Sequence, residues 1–238
     1  ILLMNYYKNR IYQHTKSMKL LSVFLSSLLF TVSPLGEYQG ETRLMDAHSI
    51  SQVYVCSTGE NYRENISIQI DTGETKSVIY PKIDVGYDPS VFIGKFLPGE
   101  TEQILYSVNS GGSGAYSSFE LYSFVDNHAK LLYYSGDFEN TATAYLDGTT
   151  IVIDYLDRKL LLDATGLDLS GKREVTIGPL NTILPYYQGG YDQYNLMILQ
   201  KIYIDYTANN AGYLATFVHL TLDGSSVINT GILNNFVL

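Results

Sequence analysis

The side chains of this chain that could do acid or base chemistry are scattered carboxylates and a few histidines. Asp71-Thr72-Gly73 has the sequence of an aspartic-protease motif, but that chemistry needs two aspartates that share one proton across a cleft. No second Asp-Thr-Gly or Asp-Ser-Gly occurs in the chain. A turn between two alternating strands explains the tripeptide better. The sequence therefore predicts a hairpin turn at this point.

The histidines and the single cysteine form no catalytic or metal-binding pattern. His48, His128 and His219 are predicted to lie in a linker, a turn and a strand, without the partner at i+4 or the nearby cysteine that a zinc site needs. Gly112-Ser113-Gly114 lacks the strand-to-helix context of a nucleophile elbow. Cys56 is predicted to be a small buried hydrophobe on a strand. No catalytic residue is singled out, although a pair of carboxylates for glycoside hydrolysis stays open.

Tyrosine is the unusual residue of the composition, with 22 Tyr and no Trp. Tyrosine suits half-buried positions of a pleated sheet and can keep its hydroxyl in water. A β-rich surface is therefore the simpler interpretation, and a sugar-stacking face is the alternative. The candidate ligand-binding residues are Tyr116, Tyr186, Tyr187, Tyr191 and Tyr194.

Residues 91–124 show the elements that must position any such site. Apolar side chains two residues apart predict strands, Pro98-Gly99 predicts a turn, and the Gly111-Gly112-Ser113-Gly114 run predicts a loop. At least one of these loop glycines is expected at positive φ, because an interior strand position does not favour glycine.

The rest of the chain repeats this organisation. Residues 66–70 and 75–80 predict a hairpin, and Asp147-Gly148 between two apolar runs predicts another. Turn signals recur about every ten residues, a spacing typical of all-β proteins. We predict an all-β, antiparallel, propeller-like fold, with a β-sandwich as the alternative, and only one short helical turn, at residues 160–167.

Several of these segments resemble a known family. Ile93-Gly94-Lys95-Phe96, the apolar strand around Ile104-Leu105-Tyr106, the glycine loop and Leu121-Tyr122-Ser123-Phe124 are similar to degenerate FG-GAP or VCBS-type repeats of secreted Firmicutes proteins. A weaker second copy covers residues 184–199. The resemblance implies an integrin-like β-propeller blade.

Calcium-binding repeats of that family carry carboxylates at alternate turn positions, since calcium takes about six to eight oxygen ligands. In this sequence Lys95 and Leu97 stand where such oxygens are expected. The remaining calcium candidates are Glu100, together with Glu102, and Asp192. We therefore expect no cofactor and no bound calcium, and a first turn held by its own backbone hydrogen bonds.

The N-terminal part has the pattern of a secretory signal. Met18 and Lys19 precede an apolar run at residues 20–32, which is too short to span a bilayer. An N-terminal helix of the folded domain is the alternative. We expect residues 1–17 to be an upstream extension, residues 18–36 a signal peptide and residues 37–238 a single all-β domain.

The net charge of the chain disfavours some classes of binding partner. The formal net charge is −9, which disfavours nucleic acids and anionic membrane surfaces as partners. The expected protein is a secreted or cell-surface domain without catalytic activity that binds a polymer or another protein. An extracellular hydrolase acting on carbohydrate or peptide is the alternative, and the oligomeric state is open.

Overall fold

The computed structural model describes nine ranges of the chain, all within one compact unit, Glu37–Leu238. The described ranges are 43–45, 51–99, 101–111, 116–138, 141–171, 174–188, 192–205, 210–222 and 224–233. The expected upstream extension and signal peptide lie outside them, as do Glu100 and Tyr191.

The described ranges form strands joined by short turns, with one 3₁₀ turn at Ser135–Asp137 and no α-helix. The all-β, antiparallel prediction is thereby confirmed. In chain order the strands are β1 (Arg43–Met45), β2 (Ser51–Thr58), β3 (Tyr62–Asp71), β4 (Lys76–Ile79), β5 (Gly86–Gly94), β6 (Gln103–Asn109), β7 (Ser117–Val125), β8 (His128–Tyr134), β9 (Thr143–Asp147), β10 (Thr150–Tyr155), β11 (Arg158–Asp163), β12 (Val175–Tyr187), β13 (Tyr194–Ile204), β14 (Asn210–Thr221) and β15 (Gly224–Leu233).

The largest sheet has eight strands in the order β1-β2-β3-β5-β6-β7-β8, with β4 also paired to β3. Strand β3 changes partner along its length. Its first residues, Tyr62 and Arg63, pair with β5, and its last residues, from Ile68 to Asp71, pair with β4. The β3–β5 pairing skips one strand of the chain. All remaining pairings among the described strands join two strands that are consecutive in the chain.

Two smaller sheets follow, a three-stranded sheet β11-β10-β9 and a four-stranded sheet β12-β13-β14-β15. Strand β12 carries bulges between Ile177 and Thr182. Strand β14 carries an extra residue opposite the Ile202 to Tyr203 step of β13. Strand β13 itself runs without an inserted residue from Tyr194 to Ile204, because each bulge lies on its neighbour.

One face of the four-stranded sheet packs against both other sheets. Leu196 and Ile198 of β13 belong to a buried cluster with Leu105, Phe119 and Leu121 of the eight-stranded sheet. Further along β13, Ile202 and Ile204 belong to a second cluster, which contains Ile151, Ile153 and Leu162 of the three-stranded sheet. Sheets that pack face to face are compatible with the β-sandwich alternative, whereas the propeller-like arrangement stays a prediction.

The predicted helical turn at residues 160–167 is wrong. Residues 158–163 form strand β11, in which Leu160 pairs with Ile153 and Leu162 with Ile151. Leu162 is 1% exposed and the preceding Leu161 is 66% exposed, which is the two-residue alternation of a half-buried strand. Pairing with the apolar strand β10 overrides the helical tendency of a leucine run.

A side chain holds the turn at Pro98-Gly99, where we expected backbone hydrogen bonds to hold it. The fully buried amide of Gln103 accepts hydrogen bonds from the N–H groups of Phe96, at 2.6 Å, and Leu97, at 3.0 Å. Its Nε2 donates to the carbonyl of Thr101 at 2.7 Å. One side chain therefore braces both arms of the turn.

Candidate binding face

The second face of the four-stranded sheet, which we call the outer face, is formed by the side chains that alternate with the buried row of β13. It includes Asn195, Met197, Leu199, Lys201 and Tyr203 of that strand. Its apolar centre is a small cluster of buried side chains packed by others of the same sheet: Leu199, Tyr213 and Ala215, flanked by Leu184, Met197, Phe217 and Leu233.

A buried amide network lies at one end of the outer face. Asn195 is fully buried, and its Oδ1 lies 2.8 Å from Nδ1 of His219. The neighbouring Gln193 donates from Nε2 to the carbonyls of Phe96 and Leu220, both at 3.0 Å. Both hydrogens of that amide are thus used, so its 3.4 Å contact with His219 Nδ1 is not a hydrogen bond. Nδ1 of His219 must therefore carry the proton and donate to Asn195.

This arrangement leaves the other half of the Asn195 amide unsatisfied. Its Nδ2 is buried and has no hydrogen-bond partner in the described part of the chain. Asn195 pairs across the sheet with Tyr186, whose ring contacts that of Phe217 edge to face at 5.0 Å between centroids. A buried amide donor thus lies beside two aromatic rings and a histidine.

The opposite end of the outer face has a similar composition. Thr176 and Tyr203 pair across β12 and β13, and the Thr176 hydroxyl has no hydrogen-bond partner among the described residues. Burial, followed by the charge of the Tyr116 hydroxyl and a hydrogen bond with it, raises the pKa of Tyr203 to about 12. Tyr116 is therefore close to Tyr203.

The structure separates the tyrosines proposed from the sequence as ligand-binding residues. Tyr186 lies on the outer face, whereas Tyr116 precedes β7 of the eight-stranded sheet and is close to Tyr203. Tyr187 and Tyr194 pair on the inner side of the same hairpin, with ring centroids 5.8 Å apart. Tyr194 packs against the rings of Phe92 at 5.0 Å and Phe96 at 5.8 Å, so it belongs to the core. Tyr191 lies outside the described residues.

The start of β13 also bonds to the residues that follow β5. The backbone N–H of Tyr194 donates to the carbonyl of Lys95 at 2.5 Å, and Gln193 donates to the carbonyl of Phe96. These two hydrogen bonds join the four-stranded and eight-stranded sheets at this point.

Metal-binding groups are not gathered at either turn in the described residues. Asp192 is exposed next to Gln193, and Glu100 lies outside the described ranges. Within those ranges, no group of three or more His, Cys, Asp or Glu side chains is placed to hold a metal ion.

The most buried carboxylate of the described residues, Glu120, has a structural role. It is fully buried and accepts hydrogen bonds from the N–H groups of Lys82, at 3.0 Å, and Ile83, at 3.1 Å, and from the hydroxyl of Tyr122. Tyr106 donates to the carbonyl of Ile83 at 2.9 Å. Burial first, and then the charge of Glu120, raise the pKa of both tyrosines well above the usual value. This cluster ties the segment after β4 to the sheet.

The other residues singled out from the sequence have ordinary roles. Asp71 accepts a hydrogen bond from the N–H of Gly73 at 2.9 Å within the β3–β4 hairpin, so the turn interpretation is confirmed. Cys56 is buried on β2 as predicted, and its burial raises the pKa of the thiol.

Sequence reasoning did not select Asn195, Thr176 or Tyr203. The alternation along β13 separates its two faces correctly, but it does not show which buried polar atoms lack partners. His219 was expected to be a satisfied strand side chain, and its bond to Asn195 depends on the register of β13 against β14.

The comparisons with known proteins give no relative: no protein-family model, no curated protein and no solved structure matches the chain. The resemblance to FG-GAP and VCBS-type repeats therefore stays a prediction. Within the described ranges, no helix is long and apolar enough to cross a membrane.

Proposed function

We propose that this protein is a secreted or cell-surface module without catalytic activity, and that its outer face binds an uncharged polymer rich in hydroxyl groups. The observation that carries the proposal is the pair of half-buried rings of Tyr186 and Phe217, in edge-to-face contact on the outer face beside the buried Asn195.

The surroundings of the amide indicate the class of ligand. The rings of Tyr186 and Phe217 offer apolar surface next to the amide, and tyrosine adds a polar hydroxyl to that surface. Sugar rings present C–H faces and hydroxyl edges of matching kind. Lys201 is the one residue with a formal charge among the outer-face residues named above, so the face does not favour a highly charged ligand.

Export is part of the proposal. Met18-Lys19 and the apolar run that follows support a secreted protein, and a net charge of −9 disfavours nucleic acid as the partner. N-terminal sequencing of the protein recovered from the medium of its producing cell should give a start near residues 36–40. Cytosolic protein that retains Met18 would contradict export.

Binding is tested by affinity electrophoresis of the purified protein in gels that contain β-glucan, xylan, mannan or soluble chitin. We expect retardation by at least one polymer, and we expect Tyr186→Ala and Phe217→Ala to remove it, because each variant removes one ring of the half-buried pair. Tyr80→Ala is the matched control, because Tyr80 is 79% exposed and lies on the loop after β4.

Two outcomes would overturn the proposal. Migration unaffected by every polymer would exclude this ligand class. Release of reducing ends from a retarding polymer, measured on the same samples, would instead show a hydrolase. Thermal unfolding of each variant separates a lost binding face from a lost fold.

A further inference from the structure

A half-open cavity of about 280 Å³ lies beside the first residues of β5. It is lined by Val55 of β2 and by Asp88, Pro89, Ser90 and Val91 of β5. Both valines are buried, whereas Asp88 and Ser90 are exposed. The cavity therefore has apolar walls at its base and a polar rim that water reaches. Pockets for drug-sized ligands measure roughly 300–1,000 Å³, so this cavity suits a smaller molecule or a single side chain.

A bulge in β5 places Asp88 at this rim. Tyr87 pairs with Asn109 and Ser90 pairs with Ser107, so β5 has one more residue than β6 between these two pairs. Asp88 has a φ of +48° and precedes a proline, a position that favours extended backbone. Bulges that re-aim a side chain, and residues held in such a sparsely populated conformation, are concentrated at functional sites.

The Asp88 carboxylate has no partner in the part of the chain that the structure describes. Lys76 pairs with Asp71 at 3.3 Å and Lys159 pairs with Asp154 at 2.8 Å, but no described cation or hydrogen-bond donor pairs with Asp88. Aspartate carboxylates carry a negative charge at neutral pH. A negative charge without a counter-charge thus stands at the rim of an apolar cavity.

Two exposed aromatic rings adjoin Asp88 on the sheet. Tyr87, the preceding residue, is 38% exposed, and its ring contacts that of Tyr62, which is 41% exposed, edge to face at 5.2 Å between centroids. The backbone of Gly111 lies so close to the Tyr87 ring that a Cβ there would be 2.3 Å away, which fixes the ring in place. Tyrosine faces attract cations, so these rings favour the same sign of ligand charge as the carboxylate.

We propose that this cavity binds a primary ammonium group carried on a short apolar stem. The ammonium group pairs with the Asp88 carboxylate, and the stem packs against Val55 and Val91. A formal net charge of −9 raises the local concentration of cationic ligands. The inference goes beyond the proposed function and does not rest on it, because the cavity belongs to the eight-stranded sheet and the outer face to the four-stranded sheet.

The experiment is a titration of the intact protein, followed through its backbone amide resonances, with n-butylammonium and with n-butanol as the neutral ligand of similar shape. We expect saturable shifts at Val55, Ser90 and Val91 with the amine, weakened by added salt, and none with the alcohol. A lysine side chain of a partner polypeptide and a free polyamine both carry the proposed group. Tighter binding of Nα-acetyl-lysine amide than of 1,4-diaminobutane assigns the first source, and the reverse assigns the second.

Asp88→Asn removes the charge, keeps the shape and tolerates the positive φ. It should weaken n-butylammonium about tenfold or more, the range for a hydrogen bond to a charged group. Asp157→Asn is the matched control, because Asp157 is also exposed and has a φ of +58°, and it should bind like the parent.

Three outcomes would overturn the ammonium site: no saturable shift with any amine, equal shifts with n-butanol, or an Asp88→Asn protein that binds the amine like the parent. The amide spectrum of each variant shows directly whether its fold is intact. Tyr186→Ala should leave amine binding unchanged, so failure of the outer-face proposal and failure of this one are separate results.

Discussion

At the scale of single residues, one buried side chain holds a turn that the sequence analysis assigned to backbone hydrogen bonds. The turn at Pro98-Gly99 is braced by the amide of Gln103, which makes three hydrogen bonds to backbone groups. Its oxygen accepts from two N–H groups before the turn and its nitrogen donates to a carbonyl after the turn, so one side chain joins both arms.

Gln103→Ala should therefore lower the free energy of unfolding by about 1–3 kcal/mol, because it leaves the N–H groups of Phe96 and Leu97 buried without partners. Urea unfolding measures the change. Gln188→Ala, at an exposed glutamine, is the control and should be neutral. Equal stability of the two variants would show that the brace contributes nothing.

Because the Gln103 side chain holds this turn, we expect calcium to leave the thermal stability of the protein unchanged. Thermal unfolding in a chelator and in excess calcium should give the same midpoint, because a ligand stabilises the native state only in proportion to ln(1 + [L]/Kd). A rise of several degrees with calcium that disappears in Asp192→Ala would show that the second turn binds the ion.

Gly111 provides a second test at a single residue. Its φ is +77°, and a Cβ at this position would lie 2.3 Å from the ring of Tyr87, so the expected positive φ in the glycine loop is confirmed. Gly111→Ala should destabilise the protein by about 1 kcal/mol or more. The control is Gly231→Ala, where no atom lies within 4 Å of the added Cβ. If the two variants unfold at the same urea concentration, the loop does not need glycine.

Alkaline pH should destabilise the protein through its buried tyrosines. The pKa values of Tyr106 and Tyr122 are raised in the folded state, and that of Tyr203 is raised to about 12. A raised pKa means that the fold favours the neutral hydroxyl. The free energy of unfolding is therefore highest below pH about 10, which is the ordinary tyrosine pKa in the unfolded chain. It falls as the pH rises through the folded-state pKa.

Urea midpoints measured between neutral pH and pH of about 12 should fall most steeply above the ordinary tyrosine pKa. Tyr203→Phe should make that fall shallower, since phenylalanine has no proton to lose. An unchanged pH profile in Tyr203→Phe would mean that Tyr203 ionises equally well in the folded and unfolded chain.

At the scale of elements, local patterns predicted most strands and turns. The hairpins at Asp71-Thr72-Gly73 and Asp147-Gly148 depend on turn residues and two-residue periodicity, and both of these are visible in the sequence. The sequence offered both a strand at residues 159–162 and a helical turn at residues 160–167, because a leucine run fits either, and only the pairing of β11 with β10 decides between them.

Two neighbouring leucines test the β11 assignment. Leu162→Ala should cost about 2–5 kcal/mol, since it removes a fully buried side chain. Leu161→Ala should cost little, because that side chain is 66% exposed. Urea unfolding of both variants measures the difference, and similar losses at the two positions would contradict a strand.

At the scale of the whole molecule, the candidate site depends on contacts that no local pattern shows. Asn195 and His219 are 24 residues apart in the chain and meet only because β13 and β14 pair in one particular register. The brace between Gln193 and the carbonyl of Phe96 spans 97 residues. Such contacts depend on how distant strands pair and how the sheets pack. The periodicity of the sequence does not indicate either arrangement.

The inner face of the four-stranded sheet contributes to two cores, so unfolding should be a single transition. Ile198→Ala, in the cluster shared with the eight-stranded sheet, and Ile153→Ala, in the cluster shared with the three-stranded sheet, should each shift one common transition. Far-ultraviolet circular dichroism and tyrosine fluorescence measure it. Two separated transitions in either variant would show that the cores unfold independently.

Among the described strands, all pairings except β3–β5 join consecutive strands, and this has a kinetic consequence. Each such pairing closes a loop of only a few residues, which costs little entropy. Chain segments can therefore pair one after another. Unpaired strand edges, which favour aggregation, are then short-lived during folding. The slow events that remain are the addition of β5 to β3 across the intervening β4 and the docking of complete sheets. A chain that emerges N-terminus first during its synthesis therefore acquires its sheets in the order in which they emerge.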